Sequence, residues 1–172
     1  MILTLKKRIR KTNKKMKKLF STNHDVKNID LVILIVRVSI AALMLSHGLP
    51  KMASFLADGP VQFPGLFGLS SELSLALAVF AEVICSVLIL VGFGTRLATI
   101  PLIITMLIAV VYIHAADPFA KQELGIHYLL VYGMLFLTGS GKYSVDYLLQ
   151  QKTAVANYSS LKTEGPTVGI YN

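Results

Sequence analysis

Five ionisable side chains stand at the ends of apolar segments, where a membrane helix would meet water. Three are histidines, which titrate near neutral pH, and the others are a lysine and a glutamate: His47, Lys51, His114, Glu123 and His127. Residues four apart share a helix face, so His47 can lie beside Lys51 and Glu123 can contact His127. Such groups gathered at one depth could bind a quinone head group or an oxyanion, or could move protons. We therefore predict that these five residues form a reactive site.

The same residues could also bind a metal ion, because imidazole and carboxylate groups are ligands for zinc and iron. Their spacing matches no metal motif of the His-Glu-x-x-His kind, and they come from three different segments. The single cysteine, Cys85, has no second cysteine with which to form a disulfide or a dithiol redox pair. The sequence therefore favours a site with no resident metal.

Two charged residues interrupt the apolar segments themselves, Arg37 in the first and Glu82 in the second. Charges in a bilayer usually face the interior of a bundle, where they pair and mark function. Arg37 is roughly 9–12 Å from one edge of a layer about 30 Å thick, and Glu82 is roughly 14 Å from the other edge. We predict an ion pair between Arg37 and Glu82, which either supports the site from within the bundle or only fixes helix register.

Two glycine-rich turns lie at the opposite end from the histidines, one between the second and third apolar segments and one after the fourth. One ends in Arg96, and the other is followed by Asp146. The glycines lack the spacing of a phosphate-binding loop, so we expect no nucleotide. We predict that Arg96 and Asp146 pair as a clasp on the cytoplasmic side.

Four segments are long and apolar enough to position these residues across a membrane, for which a helix needs about 20 residues. They are residues 31–49, 73–92, 97–116 and 124–140. A soluble helical bundle would need a charged face on each helix, and the third segment has no Asp, Glu, Lys or Arg. The sequence therefore predicts an all-α fold, a four-helix transmembrane bundle.

The basic residues are concentrated before the first apolar segment. The 172 residues carry a net charge of +8, but nine of the 17 lysines and arginines lie in residues 1–20. A nucleic-acid-binding domain needs its charge on the folded body, so we expect no nucleic-acid partner. Lysine and arginine number 14 near one set of segment ends and 2 near the other. This bias places both termini in the cytoplasm.

Three regions follow from this pattern. Residues 1–28 form a basic cytoplasmic tail, and residues 29–149 form the transmembrane domain. Residues 150–172 form a polar tail that we expect to be disordered. Ser70 is expected to cap the N-terminus of the second helix.

The order of the polar motifs resembles the DoxX family of small four-span membrane proteins. The motifs cover residues 31–149: Arg37, Ser46-His47-Gly48-x-x-Lys51, Ala81-Glu82, Gly92-x-x-Thr95-Arg96, Met106, Ala109, His114, Glu123, and the run from Gly139 to Asp146. The resemblance implies a multi-pass four-helix bundle in a bacterial cytoplasmic membrane. A related methylamine-utilisation group uses paired cysteines, which this chain lacks.

Relatives in this family include the membrane subunit of thiosulfate:quinone oxidoreductase and proteins of thiol or oxidative-stress responses and quinone resistance. The resemblance therefore implies a quinone-linked redox subunit, with a non-covalent quinone at the five-residue site. No flavin, haem or iron–sulfur motif is present, so electrons would come from the substrate or from a soluble redox protein. Two alternatives stay open: a non-enzymatic membrane anchor or assembly partner for a soluble redox protein, and a small-solute carrier.

Overall fold

The computed structural model describes residues 26–163. The predicted basic tail therefore lies outside the described residues, except for its last three positions. Within residues 26–163 the fold is entirely helical, without a β-strand. The helices are α1 (Val26–Leu56), α2 (Ser71–Val91), α3 (Thr95–Ile113), α4 (Phe119–Thr138) and α5 (Val145–Thr163).

Three of the described helices are long and apolar enough to cross a bilayer: α1 from Asn28, α2 and α3. Helix α4 is 20 residues long, but its first half carries Lys121, Glu123 and His127, and it is not among the three. The all-α prediction is confirmed. A fourth crossing by α4, and the side of the membrane on which the termini lie, stay predictions.

The outer surface of the bundle is apolar and part of its interior is polar. Leu97, Leu130 and Leu137 are largely exposed, whereas Arg37 and Glu82 are 2% and 1% exposed. A protein dissolved in water has the reverse arrangement, with its charges outside. Lipid is the solvent that suits such a surface, and the chain is therefore a membrane protein.

Local signals in the sequence explain where α2 begins and ends. The Ser70 hydroxyl accepts a hydrogen bond from the backbone N–H of Leu73, which confirms the predicted cap. At the other end, Gly92 and Gly94 have φ values of 74° and 57°, in the left-handed region that glycine adopts without strain. This tight turn returns the chain directly into α3, which packs along α4.

Helix α5 corrects the expectation of a disordered tail from residue 150. The helix continues from Val145 to Thr163, and residues 164–172 lie outside the described part of the chain. Its side chains from Leu148 to Ala156 are exposed. The polar composition was correctly recognised, but exposed alanines, leucines and glutamines also favour an isolated helix.

Candidate functional site

Close approach of α1 and α2 fixes the positions of Arg37 and Glu82. A Cβ atom on Gly48 would lie 3.0 Å from the Glu82 Cβ and 2.9 Å from the Val83 Cγ2, so the helices touch at this point. Further along the pair, a Cβ atom on Gly92 would lie 2.3 Å from the Arg37 guanidinium. Arg37 is therefore level with Gly92, ten residues along α2 from Glu82, or about 15 Å at 1.5 Å per residue.

Arg37 binds the backbone of the turn between α4 and α5. Its two Nη atoms donate hydrogen bonds to the carbonyl oxygens of Ser140 and Tyr143, each at 2.6 Å. A buried cation with carbonyl acceptors ties the middle of α1 to this turn. The predicted Arg37–Glu82 ion pair is wrong, because the register of α1 and α2 places Arg37 against Gly92.

Glu82 pairs instead with Lys51. The Lys51 ammonium contacts Oε1 of Glu82, which is almost fully buried, and the Lys51 side chain is 35% exposed. The second carboxylate oxygen, Oε2, is buried and has no hydrogen-bond partner among the described residues. Lys51 reaches this depth because α1 continues through Pro50 to Leu56, whereas the sequence pattern suggested an end at residue 49.

A cavity of about 180 Å³ opens beside this ion pair, between α1, α2, α3 and α4. Buried Glu82 and Tyr128 lie on its inner side, together with two methionines, and partly exposed polar groups lie at its mouth. The lining residues are Met44, His47, Lys51, Glu82, Met106, Ala109, Val110, His114, Lys121, Leu124, Gly125 and Tyr128.

Two π-helical segments border the cavity. Phe80–Cys85 carries Glu82, and Ala109–Ile113 begins with two lining residues. A π segment widens the helix by one residue per turn and is frequently found at functional sites. Gly125 of α4 faces the second segment, and a Cβ atom added to Gly125 would lie 2.5 Å from the Val110 Cγ2. The two π segments and the close contact between Gly125 and Val110 therefore shape the same cavity.

The structure brings together three of the five predicted site residues. His47, Lys51 and His114 line the cavity. Glu123 and His127 are exposed and do not line it, and the His127 ring bonds to the backbone carbonyl of Glu123 at 2.7 Å. The prediction that Glu123 and His127 belong to the site is therefore corrected. They do share a helical turn, but both are exposed and neither lines the cavity.

The loop between α3 and α4 holds His114 in one orientation. Its Nδ1 lies 2.7 Å from Oδ2 of Asp117, and the Gln122 amide donates to the backbone carbonyls of both residues. Hydrogen bonding to His114 lowers the pKa of Asp117, and Lys121 at 3.6 Å acts in the same direction. The carboxylate therefore orients the imidazole and leaves Nε2 as the nitrogen available to a ligand.

At the opposite end, Arg96 and Asp146 line a second cavity of about 500 Å³ but do not form the predicted clasp. Arg96 donates to the carbonyl of Leu137 at 3.0 Å. The carboxylate of Asp146 accepts hydrogen bonds from the backbone N–H groups of Gly94 and Thr95 at 2.8 and 3.4 Å. Unpaired N–H groups at a helix start attract a carboxylate, which explains why Asp146 binds the start of α3.

Sequence reasoning missed three contributors to the site: the role of Glu82 within it, Tyr128 and Asp117. Tyr128 is buried, stacks on Tyr132 and meets the His47 ring edge-on with centroids 6.0 Å apart. Helical periodicity turns Tyr128 about 100° away from His127, but it does not say which of the two faces inward. Asp117 could have been inferred from its spacing of three from His114.

The described residues include no group of three or more His, Cys, Asp or Glu side chains that could hold a metal ion. Buried Cys85 is a free thiol that does not line the cavity. The polar side chains that line the cavity are the Lys51–Glu82 ion pair, His47, His114, Lys121 and the buried Tyr128.

Sequence comparison with known proteins identifies the family of the chain. The sequence profile of the DoxX family matches residues 32–115. The chain is also 30% identical, over 121 residues, to a Bacillus subtilis (strain 168) protein named "Putative oxidoreductase CatD"; the match covers 70% of this chain and 88% of that protein. The chain belongs to the DoxX family. The DoxX match spans α1 to α3, with Arg37, Lys51, Glu82 and His114 inside it. No solved structure matches the chain.

Proposed function

We propose that this DoxX protein is a quinone-linked redox subunit of a bacterial cytoplasmic membrane, acting in thiol, sulfur or oxidative-stress metabolism. The observation that carries the proposal is the cavity beside Lys51 and Glu82, which combines polar donors with a buried aromatic side chain. The name of the Bacillus relative, "Putative oxidoreductase CatD", supports the same class of chemistry.

The volume of the cavity suits one six-membered ring. Apolar protein cavities of about 150 Å³ bind benzene, and this one is about 180 Å³. The side chains of Met44, Met106 and Tyr128 provide apolar contact area for the ring. A long isoprenoid tail would have to remain in the surrounding lipid, which the apolar outer surface of the bundle permits.

The polar groups suit the two carbonyl oxygens of a quinone. Lys51 is a donor, and the imidazoles of His47 and His114 can donate when the tautomer permits. Reduction adds two electrons and two protons, and the negative charge that develops on the oxygens is stabilised by nearby cations such as Lys51 and Lys121. The electrons would come from a soluble redox protein, or from two thiols that form a disulfide and release two protons.

The positive-inside bias adds a direction to this proposal. It places the basic N-terminal segment in the cytoplasm and so the end of α1 that bears Lys51 toward the outer face of the membrane. Protons would then enter and leave the cavity from that side, past His114 and Asp117.

Equilibrium binding tests the proposal. The full-length protein in lipid nanodiscs is dialysed against duroquinone, whose fully methylated ring cannot be attacked by lysine or cysteine. We expect saturable binding above that of empty nanodiscs. We also expect His47→Ala and His114→Ala to weaken it at least fivefold.

The matched control is His127→Ala, which removes an exposed histidine outside the cavity. It should bind like the wild type. Equal binding by all three histidine variants and the wild type would refute the site. Turnover is then measured by adding a thiol reductant to the variants and following loss of quinone absorbance.

Helix α5 favours a second candidate function, a membrane anchor for a soluble redox protein. It is a 19-residue helix whose apolar side chains, including Leu148, Leu149 and Val155, are exposed. This function predicts no saturable quinone binding in the dialysis experiment.

A further inference from the structure

The free carboxylate oxygen of Glu82 constrains which redox form of the ligand the cavity holds. Resting on the proposed function, we propose that the cavity binds the reduced head group, a hydroquinone, in preference to the quinone. One ligand hydroxyl donates its hydrogen bond to Oε2 of Glu82. The oxygen of the other hydroxyl accepts from donors at the cavity mouth.

Glu82 has one satisfied and one unsatisfied oxygen. Oε1 contacts the Lys51 ammonium, whereas buried Oε2 lacks a hydrogen-bond partner within residues 26–163. Buried polar atoms in folded proteins are almost always hydrogen-bonded, and an unsatisfied charged group is the most costly exception. The residue lines the cavity, so a ligand there can supply the missing donor.

Neighbouring hydroxyl groups do not fill this role. Oε2 has no hydrogen-bond partner among the described residues, so neither the Tyr132 hydroxyl nor the Ser86 hydroxyl donates to it. Tyr128 also lines the cavity, and its hydroxyl does not donate to Oε2 either. A small molecule in the cavity can supply the donor that the described residues do not.

The two redox forms differ in the property that Oε2 requires. A carboxylate can only accept hydrogen bonds, and so can the carbonyl oxygens of a quinone. A quinone oxygen placed against Oε2 would bring two acceptors into contact in a desolvated site. A hydroquinone has two O–H donors and keeps lone pairs to accept from Lys51 or a histidine. The same ring therefore fits better in its reduced form.

Parallel dialysis of duroquinone and durohydroquinone, under argon and on the full-length protein in nanodiscs, tests the preference. Each dissociation constant is corrected for partition into empty nanodiscs. We expect durohydroquinone to bind the wild type at least tenfold more tightly than duroquinone. In Glu82→Gln, whose amide can donate as well as accept, the ratio should fall below threefold.

Glu72→Gln is the matched control, since it makes the same change on an exposed residue of α2 and should keep the wild-type ratio. If Glu82→Gln does not fold, the ratio of the two dissociation constants in the wild type still tests the inference. Equal affinity for the two forms, or tighter binding of duroquinone, overturns this inference and leaves the proposed function intact. Failure of both compounds to bind overturns both. A water molecule that satisfies Oε2 would leave the ratio near one.

Discussion

Arg37 and Glu82, the two most deeply buried charges among the described residues, have opposite roles. Arg37 is enclosed by backbone: its Nη atoms bind the carbonyls of Ser140 and Tyr143, and the guanidinium packs against Gly92. Glu82 borders a cavity, where Lys51 satisfies one carboxylate oxygen and the other has no partner in the described chain. Arg37 lines neither of the two cavities described above.

The difference shows that burial of a charge in a membrane bundle does not by itself identify a site. The Arg37 Nε also lacks a partner among the described residues, but Arg37 lines neither of the two described cavities. What distinguishes Glu82 is an unsatisfied atom together with space beside it. The following variants separate the two roles.

Loss of the Arg37 guanidinium should have the largest effect on folding. Arg37→Met removes two charge-assisted hydrogen bonds and leaves two carbonyls without their donors, which should cost about 3 kcal/mol or more of unfolding free energy. Denaturant unfolding in mixed micelles measures it. Arg96→Gln, which loses one exposed hydrogen bond to Leu137, should cost less than about 1 kcal/mol. Equal stability of Arg37→Met and the wild type would exclude the structural role.

Gly92 and Gly94 offer a matched pair, because both have positive φ but only Gly92 contacts Arg37. Gly94→Ala should cost roughly 1 kcal/mol from backbone strain. Gly92→Ala adds clashes with the guanidinium and with the Ser144 Cβ, and should cost at least about 2 kcal/mol. The same unfolding assay compares them. Indistinguishable values would mean that Arg37 can move away without loss.

A double-mutant cycle tests which cation Glu82 uses. Lys51→Met leaves a buried carboxylate unpaired. The double variant Lys51→Met, Glu82→Gln should therefore lose less unfolding free energy than the sum of the losses in the two single variants. We expect a coupling energy of about 1 kcal/mol or more between Lys51 and Glu82. Arg37 and Glu82, level with different parts of α2, should show additive effects. Coupling between Arg37 and Glu82, with additive effects for Lys51 and Glu82, would support the Arg37–Glu82 ion pair that the sequence suggested.

Two glycines of α4 test whether the cavity depends on close packing. Gly125→Ala would crowd Val110 at 2.5 Å and should cost about 1 kcal/mol and weaken duroquinone binding. Gly133 has open space around its Cβ position, so Gly133→Ala should be neutral or stabilise by up to about 1 kcal/mol. Melting temperature and dialysis measure both. Loss of binding in Gly133→Ala would contradict this packing account.

The Asp117–His114 contact should give the smallest effect, with a defined pH dependence. Because the pKa of Asp117 is lowered, the contact favours folding above the ordinary pKa of about 3.9 and is lost as pH falls through the lowered value. The melting temperature of Asp117→Asn should therefore lie slightly below the wild type from pH 7 to pH 5. The difference should disappear at lower pH. A difference that already vanishes at pH 5 would exclude a lowered pKa.

The sequence predicted the helical fold because long apolar runs and the Ser70 cap are local signals. It could not predict the partners of Arg37 and Glu82, which depend on the register between α1 and α2. Depth alone placed the two charges near one another. The register is set where Gly48 meets Glu82 and where Gly92 meets Arg37, and both are contacts between residues distant in sequence.

Local signals also predicted part of the site, and the rest was missed. His47 and Lys51 are four residues apart on one helix, so their common face follows from helical geometry. Glu123 and His127 have the same spacing, but periodicity gives no information on whether a shared face points inward. The π segment that carries Glu82 has no sequence signature that we used.

The most direct test of the two roles is the shift in melting temperature caused by durohydroquinone in three proteins. A ligand that binds only the folded state raises its melting temperature. The wild type and Arg37→Lys, despite the lower starting stability of the latter, should show similar upward shifts. Glu82→Gln should show a much smaller one. A shift lost in Arg37→Lys but kept in Glu82→Gln would contradict the assignment of the ligand to the Glu82 cavity.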